Sequence, residues 1–246
     1  LLVLYMTKHL FQQVESGLNV VGFETLKSIL ESLYGPMTNQ ALSSQLYGLY
    51  TGFVYLTPFF GGIIADQYIG QRRSVYWGGF LMAIGHLLMA SERLFLPALL
   101  FLIIGNGFFK PNISTQVGGL YSPGDKRRDR AYTIFYMGVN IGAFFSPLVC
   151  GTLGQKVGWH WGFGAAGIGM LIGLVIYHLG RHHLPKEESI RGPALHQGDN
   201  KILQSEIKAK LTSEDYKRIF ALALICSITI MFWGVYEQQG NTLQLW

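Results

Sequence analysis

Ionisable side chains inside long apolar runs, and polar pairs at helical spacing, are the positions in this 246-residue chain that carry chemistry. Lys110 is the first, in Gly105-Asn106-Gly107-Phe108-Phe109-Lys110-Pro111-Asn112. A lysine among apolar neighbours needs a counter-charge, a wet cavity or a neutral state. The alternative is a snorkelling residue whose stem carries the ammonium to a helix end. Lys110 stands about fifteen residues into its run, which favours the cavity. Glu237 is the second, in Phe232-Trp233-Gly234-Val235-Tyr236-Glu237-Gln238-Gln239-Gly240. A carboxyl group there can hold or release a proton as its surroundings change. At the outer end of a helix it would be an interfacial residue only, and the residues leave both readings open. Tyr136 and Asn140 are four apart and share one helix face. They can offer a hydroxyl and an amide to a polar ligand, or bond a neighbouring helix that Gly138 and Gly142 allow close.

A third group reads as a conformational latch. Gly61-Gly62-Ile63-Ile64-Ala65-Asp66 is followed by Gly70-Gln71-Arg72-Arg73. Glycines such as Gly61, Gly62 and Gly70 permit close helix approach, Asp66 can accept hydrogen bonds at a helix end, and Arg72 and Arg73 set topology. His86 reads as a satisfied packing residue. No nucleophile–base pair, phosphate loop or metal-ligand cluster is present in the sequence. An enzyme, a metal and an organic cofactor are therefore not expected.

The elements that must position these residues follow from composition. Apolar residues make up 50% and charged residues 13% of the chain, and the mean hydropathy is +0.28. A soluble domain carries about 25% charged residues. These values exclude a disordered chain and a disulfide scaffold, and point to an all-α polytopic membrane protein. Cys150 and Cys226 lie inside apolar runs and read as small buried residues rather than a disulfide. A span needs roughly 20 apolar residues. The stretches Leu46–Ala65, Ser74–Met89, Leu94–Gln116, Ala131–Leu153, Trp161–Leu179 and Ile219–Gly240 meet that test approximately, the second being slightly short. Leu1–Phe11 reads as the back half of a further span.

The net charge of +5 is written in loops and needs no nucleic acid to explain it. With Leu1–Phe11 as the first span, 14 basic residues fall on one side, around Arg72-Arg73, Lys126–Arg130 and Arg181–Arg218, and 4 on the other. The positive-inside rule puts the first group in the cytoplasm. Gln12–Gln45 is then external and contains a short amphipathic pattern from Phe23 to Glu31, a helical cap or a loop. The organisation expected is a bundle over 1–180, a cytoplasmic linker over 181–218, and one more helix over 219–246. Thr212 or Ser213 can cap that helix, and Glu214-Asp215 suit its positive end.

Taken together, Tyr55-Leu56-Thr57-Pro58-Phe59-Phe60-Gly61-Gly62-Ile63-Ile64-Ala65-Asp66, Gly70-Gln71-Arg72, Gly105–Ser114, Phe135–Gly142 and Phe232–Gly240 give a motif set in a fixed order. The set resembles the proton-dependent oligopeptide transporter family of the major facilitator superfamily. The resemblance implies a twelve-helix fold in two six-helix halves, with this chain holding the N-terminal half plus the seventh helix. It implies import of di- and tripeptides with protons across the plasma membrane by alternating access, with the proton as coupling ion and no cofactor. The expected partners are peptides, protons and the lipid bilayer.

The resemblance also assigns roles. Tyr55, Lys110, Tyr136, Asn140, Trp233 and Glu237 match positions of substrate contact or coupling. Lys110 would serve coupling and the peptide carboxylate, Trp233 would line the side-chain pocket, and Glu237 would exchange ion-pair partners during gating. The family's paired glutamates and arginines on the first helix are expected just before Leu1, and the coupling histidine of animal members falls at Gly48. Residues 181–218 leave no room for two extra helices. Another substrate of the same family, such as nitrate or a glycoside, or a transport-dead membrane scaffold, is the alternative.

Overall fold

The computed structural model describes residues 2–122, 124–184 and 213–240, with side chains up to 238. Every regular element among them is helical. The chain divides into two units, Leu1–Ile190 and Arg191–Trp246.

In the first unit, α1 covers residues 2–15, with a π-helical turn over Met6–Leu10. The Thr7 hydroxyl donates to the Val3 carbonyl at 2.9 Å within it. Val3, Tyr5, Met6, Leu10 and Phe11 are buried. Tyr5 meets the rings of Phe163 at 5.0 Å, Trp159 at 5.3 Å and Phe95 at 5.6 Å. Such aromatic contacts stabilise by about 0.5–1.5 kcal/mol beyond burial. His9 Nε2 lies 3.3 Å from Glu92 Oε1, tying the same helix to the start of a later one.

The amphipathic pattern is a helix, α2, over Phe23–Tyr34, with Phe23 and Leu30 as its buried stripe. Five later helices are long and apolar enough to cross a membrane: α3 Asn39–Ile69, α5 Glu92–Gly119, α6 Arg127–Lys156 and α7 Trp159–His183 in this unit, and α8 Ser213–Tyr236 in the other. Each of the first four exceeds its predicted span at both ends. Hydropathy marks the hydrocarbon slab, whereas helix hydrogen bonding continues until a cap or turn stops it. Thr38 is such a stop, accepting from the Ala41 amide at 3.3 Å ahead of α3. The predicted span Ser74–Met89 is α4, Gln71–Leu88, of 18 residues. It opens on Gln71, Arg72 and Arg73 and is not among the five.

Within this unit α4 lies between α5 and α7, and α5 lies between α3 and α4. Backbones meet where side chains vanish. A Cβ on Gly78 would fall 2.6 Å from the Gly105 carbonyl, and one on Gly105 2.7 Å from the Gly78 carbonyl. A Cβ on Gly79 would fall 2.5 Å from Leu174. His86 packs under Gly167, but its buried Nδ1 has no partner, so it is not the satisfied residue expected.

The second unit is described from Ser213 to Gly240. Its helix starts six residues before the predicted Ile219 and ends at Tyr236 rather than Gly240. Glu214 and Asp215 occupy its first turn as anticipated, with Lys217 Nζ 3.6 Å from Glu214. Thr212 and most of the linker lie outside the described residues. Both cysteines are free, but neither is buried within its unit: Cys150 is half-buried and Cys226 exposed.

Candidate functional site

Two of the singled-out residues meet across the α3–α5 contact. The Lys110 ammonium stands 4.8 Å from the centroid of the Tyr55 ring. A cation over an aromatic face gains about 0.5–2 kcal/mol, the more so as water is excluded. Both side chains are exposed at the surface of the unit, which leaves the ammonium room for an anionic ligand.

Local sequence explains why they meet. Pro58 lies inside α3 and Pro111 inside α5, and both helices continue past them. A proline lacks the N–H that would bond the carbonyl four residues earlier. The carbonyls so released are Val54 in α3 and Gly107 in α5. The Asn106 amide donates to the Val54 carbonyl at 2.9 Å. Gly61 faces the Gly107 carbonyl so closely that a Cβ on it would land on that oxygen. Between them, the Thr57 hydroxyl donates to the Ile103 carbonyl at 3.0 Å, and a Cβ on Gly107 would fall 2.8 Å from Thr57. The two helices therefore meet where each has lost one backbone hydrogen bond to a proline. Beyond Pro111, Asn112 donates to the Phe108 carbonyl at 2.7 Å, Ser114 to Lys110 at 3.2 Å and Thr115 to Pro111 at 2.9 Å.

The latch residues occupy the turn from α3 to α4. Gly70 has φ +91°, a conformation that disfavours any side chain. Asp66 lies in a π-helical turn and accepts from Gln71 Nε2 at 3.1 Å. Arg72 reaches another helix: its guanidinium donates to the Leu184 carbonyl at 3.5 Å, just past the end of α7. The neighbouring polar ties run the same way. Tyr76 and His178 Nδ1 are 3.0 Å apart, and the Tyr177 hydroxyl donates to buried Gln116 at 2.7 Å. Gly62 is not the closest contact of its motif, since a Cβ there would meet Pro111 at an ordinary 3.7 Å. The tight position is Gly61.

Tyr136 and Asn140 do share a face of α6. The Asn140 amide, however, donates to the Tyr136 carbonyl at 2.8 Å within its own helix. No residue of Arg127–Ser146 is buried, and nothing lies within 4 Å of a Cβ on Gly138 or Gly142. Within this unit these glycines do not seat a neighbouring helix. In the other unit Trp233 packs edge-on against Tyr236 at 5.2 Å. Glu237 opens a short 3-10 turn after α8 ends and is engaged by an interaction there.

On the loop before α6, Asp125 accepts from the Arg127 backbone at 2.9 Å and from its guanidinium at 2.7 Å. Those bonds hold its carboxyl below the usual carboxylate range. Among the described residues no group of three or more His, Cys, Asp or Glu could hold a metal ion.

Asn106, Thr57, Gly78 and Gly105 were given no role of their own by the sequence. The legible signal was an asparagine and two prolines inside apolar runs, each leaving a backbone or side-chain group that must find a partner away from water.

Comparison with known proteins gives a consistent result. The family model described as POT family matches residues 72–203. The peptide transporter YePEPT of Yersinia enterocolitica is 46% identical over 140 residues, covering 55% of this chain and 27% of that protein. The di-/tripeptide transporter of Lactococcus lactis is 41% identical over 152 residues, covering 60% and 30%. A crystal structure of peptide transporter POT superposes with a TM-score of 0.61 at 28% identity, covering 98% of this chain and 43% of that one. A POT family transporter in complex with 5-aminolevulinic acid superposes with a TM-score of 0.58 at 28% identity, covering 83% and 40%. The chain thus spans under a third of these curated relatives and under half of these solved structures.

Proposed function

Because this chain belongs to the POT family, with the multi-pass helical fold of its members, we propose that it is part of a proton-coupled symporter importing di- and tripeptides by alternating access. The observation that carries this reading is the Lys110 ammonium held over Tyr55 where α3 and α5 meet near their prolines. It is a fixed cation inside an apolar helix with its outer face open, suited to a carboxylate. Relatives named as peptide and di-/tripeptide transporters support the substrate class.

In this reading Lys110 takes the peptide carboxylate and takes part in proton coupling, and Tyr55 orients it. Tyr136 and Asn140 offer peptide contacts from α6, once Asn140 exchanges its bond to its own helix for one to substrate. Trp233 and Glu237 contribute from the seventh helix, Trp233 by lining the side-chain pocket and Glu237 by exchanging ion-pair partners as the outer side opens and closes. Gly62, Asp66, Gly70 and Arg72 form the cytoplasmic gating latch between α3 and α4. The protein acts as a carrier rather than an enzyme, with the proton as coupling ion and no cofactor, in a plasma membrane, the bacterial inner membrane.

The test is uptake by the complete transporter in liposomes. An inward proton gradient should drive accumulation of a dipeptide above its equilibrium level, and a protonophore should abolish it. Dipeptide equilibration that ignores the gradient, or no dipeptide movement, would overturn the reading.

A further inference from the structure

We propose that Asn106 is a positioning residue for Lys110: its amide fills the gap that Pro58 leaves in α3 and so keeps the Tyr55 ring beneath the ammonium. The inference rests on the proposed role of Lys110 in binding the peptide carboxylate.

Pro58 deprives the Val54 carbonyl of its helical donor. In the apolar interior of a membrane no water replaces that donor, and an unpaired carbonyl there is costly. Asn106 supplies one, at 2.9 Å. The asparagine amide would be equally costly without an acceptor, so each group answers the other. Chain positions then tie this bond to the site. Tyr55 directly follows Val54. Lys110 stands four residues after Asn106, on the same face of α5. One face of α5 therefore delivers an amide to Val54 and an ammonium to Tyr55.

A second tie, from the Thr57 hydroxyl to the Ile103 carbonyl at 3.0 Å, lies on the other side of Tyr55. One tie would let the two helices pivot, and two fix both slide and rotation. A slip of one residue along an α-helix is about 1.5 Å with about 100° of rotation, enough to carry Lys110 off the ring. Of the two ties, the Asn106 bond is the one whose acceptor has lost its i+4 backbone donor to a proline.

Removal of Pro58 gives a sharp test, because Pro58→Ala restores an N–H for Val54 and makes the Asn106 amide redundant. In the complete transporter in liposomes, exchange of a dipeptide is measured alongside competition by its C-terminal amide, which lacks the carboxylate. Asn106→Ala should raise the apparent KM for the dipeptide by about tenfold and leave competition by the amide unchanged. In a Pro58→Ala background the same substitution should change KM by less than about twofold, the loss being one hydrogen bond already replaced. An unchanged dipeptide KM in Asn106→Ala, an equal weakening of dipeptide and amide, or an equal loss in both backgrounds would overturn the proposal. If Asn106→Ala does not fold, the Pro58→Ala/Asn106→Ala protein should still fold and transport, and its failure would overturn the proposal too. If the parent protein moves no dipeptide, the functional reading fails. The thermal-unfolding midpoints of the same four proteins then decide the Asn106–Pro58 coupling separately: non-additive shifts support it and additive shifts overturn it.

Discussion

The Lys110 ammonium sits 4.8 Å from the centre of the Tyr55 ring, so a charge from α5 rests on an aromatic face from α3. The ring supports the cation without neutralising it, whereas a carboxylate in its place would compete with an anionic substrate. Tyr55→Phe, which keeps the ring, should leave dipeptide affinity within about threefold, and Tyr55→Leu, which removes it, should weaken affinity by about tenfold. Lys110→Ala should abolish accumulation against a gradient while dipeptide exchange persists. Counterflow and gradient-driven uptake in liposomes separate the two, and proton-driven accumulation by Lys110→Ala would contradict the coupling role.

Helix contact in the first unit depends on glycines at particular positions. Gly78→Ala and Gly105→Ala would each set a Cβ within 2.7 Å of a backbone oxygen. Neither backbone can yield as a flexible side chain would. Each should destabilise by about 1–3 kcal/mol, seen as a lowered thermal-unfolding midpoint in detergent. Gly62→Ala meets only the Pro111 side chain at 3.7 Å and should stay close to the parent. Equal losses at Gly62 and Gly78 would refute this ranking.

Orientation follows the basic residues. Gln12–Gln45 should face outside, and Asp125–Arg130 with Arg181–Arg218 the cytoplasm. A cysteine introduced at Lys126 should resist a membrane-impermeant thiol reagent in intact cells and react after permeabilisation. One introduced at Lys27 should react in both. Labelling of the first in intact cells would invert the topology.

At the start of α6, the Arg127 bonds lower the Asp125 pKa. The folded state therefore binds a proton less readily than the unfolded state. Any stabilisation is present at neutral pH, above the unfolded carboxylate value, and is lost as pH falls through the lowered folded value. The pair is exposed, so solvent screens it and the effect is small. Asp125→Asn should lower stability slightly at pH 7 and match the parent in acid, as thermal unfolding at the two pH values would reveal. A difference that grows in acid would contradict the sign.

The sequence alone determined that this is an all-α membrane chain, because hydrocarbon tolerates few charges and leaves its record in composition and run length. It singled out Lys110, because a lysine in an apolar run is costly wherever the helix ends up. Helix ends were less legible: α3 begins at Asn39 and α8 at Ser213, outside the apolar runs that announced them, since capping and backbone bonding set helix ends. Partners were not legible at all. Gly61 and Gly62 are adjacent and identical in type, yet only Gly61 faces the Gly107 carbonyl, because rotation about the helix axis decides which of two neighbours meets α5. Arg72 showed as a positive charge, but its bond to the Leu184 carbonyl joins residues 112 apart in the chain. Asn140 shared a face with Tyr136, yet spacing does not disclose that its amide turns to its own helix. The Tyr55–Lys110 pairing needed tertiary structure for the same reason. Periodicity fixes which residues share a face, and only the packing of one helix on another, here set by two prolines and the groups that answer them, fixes which faces meet.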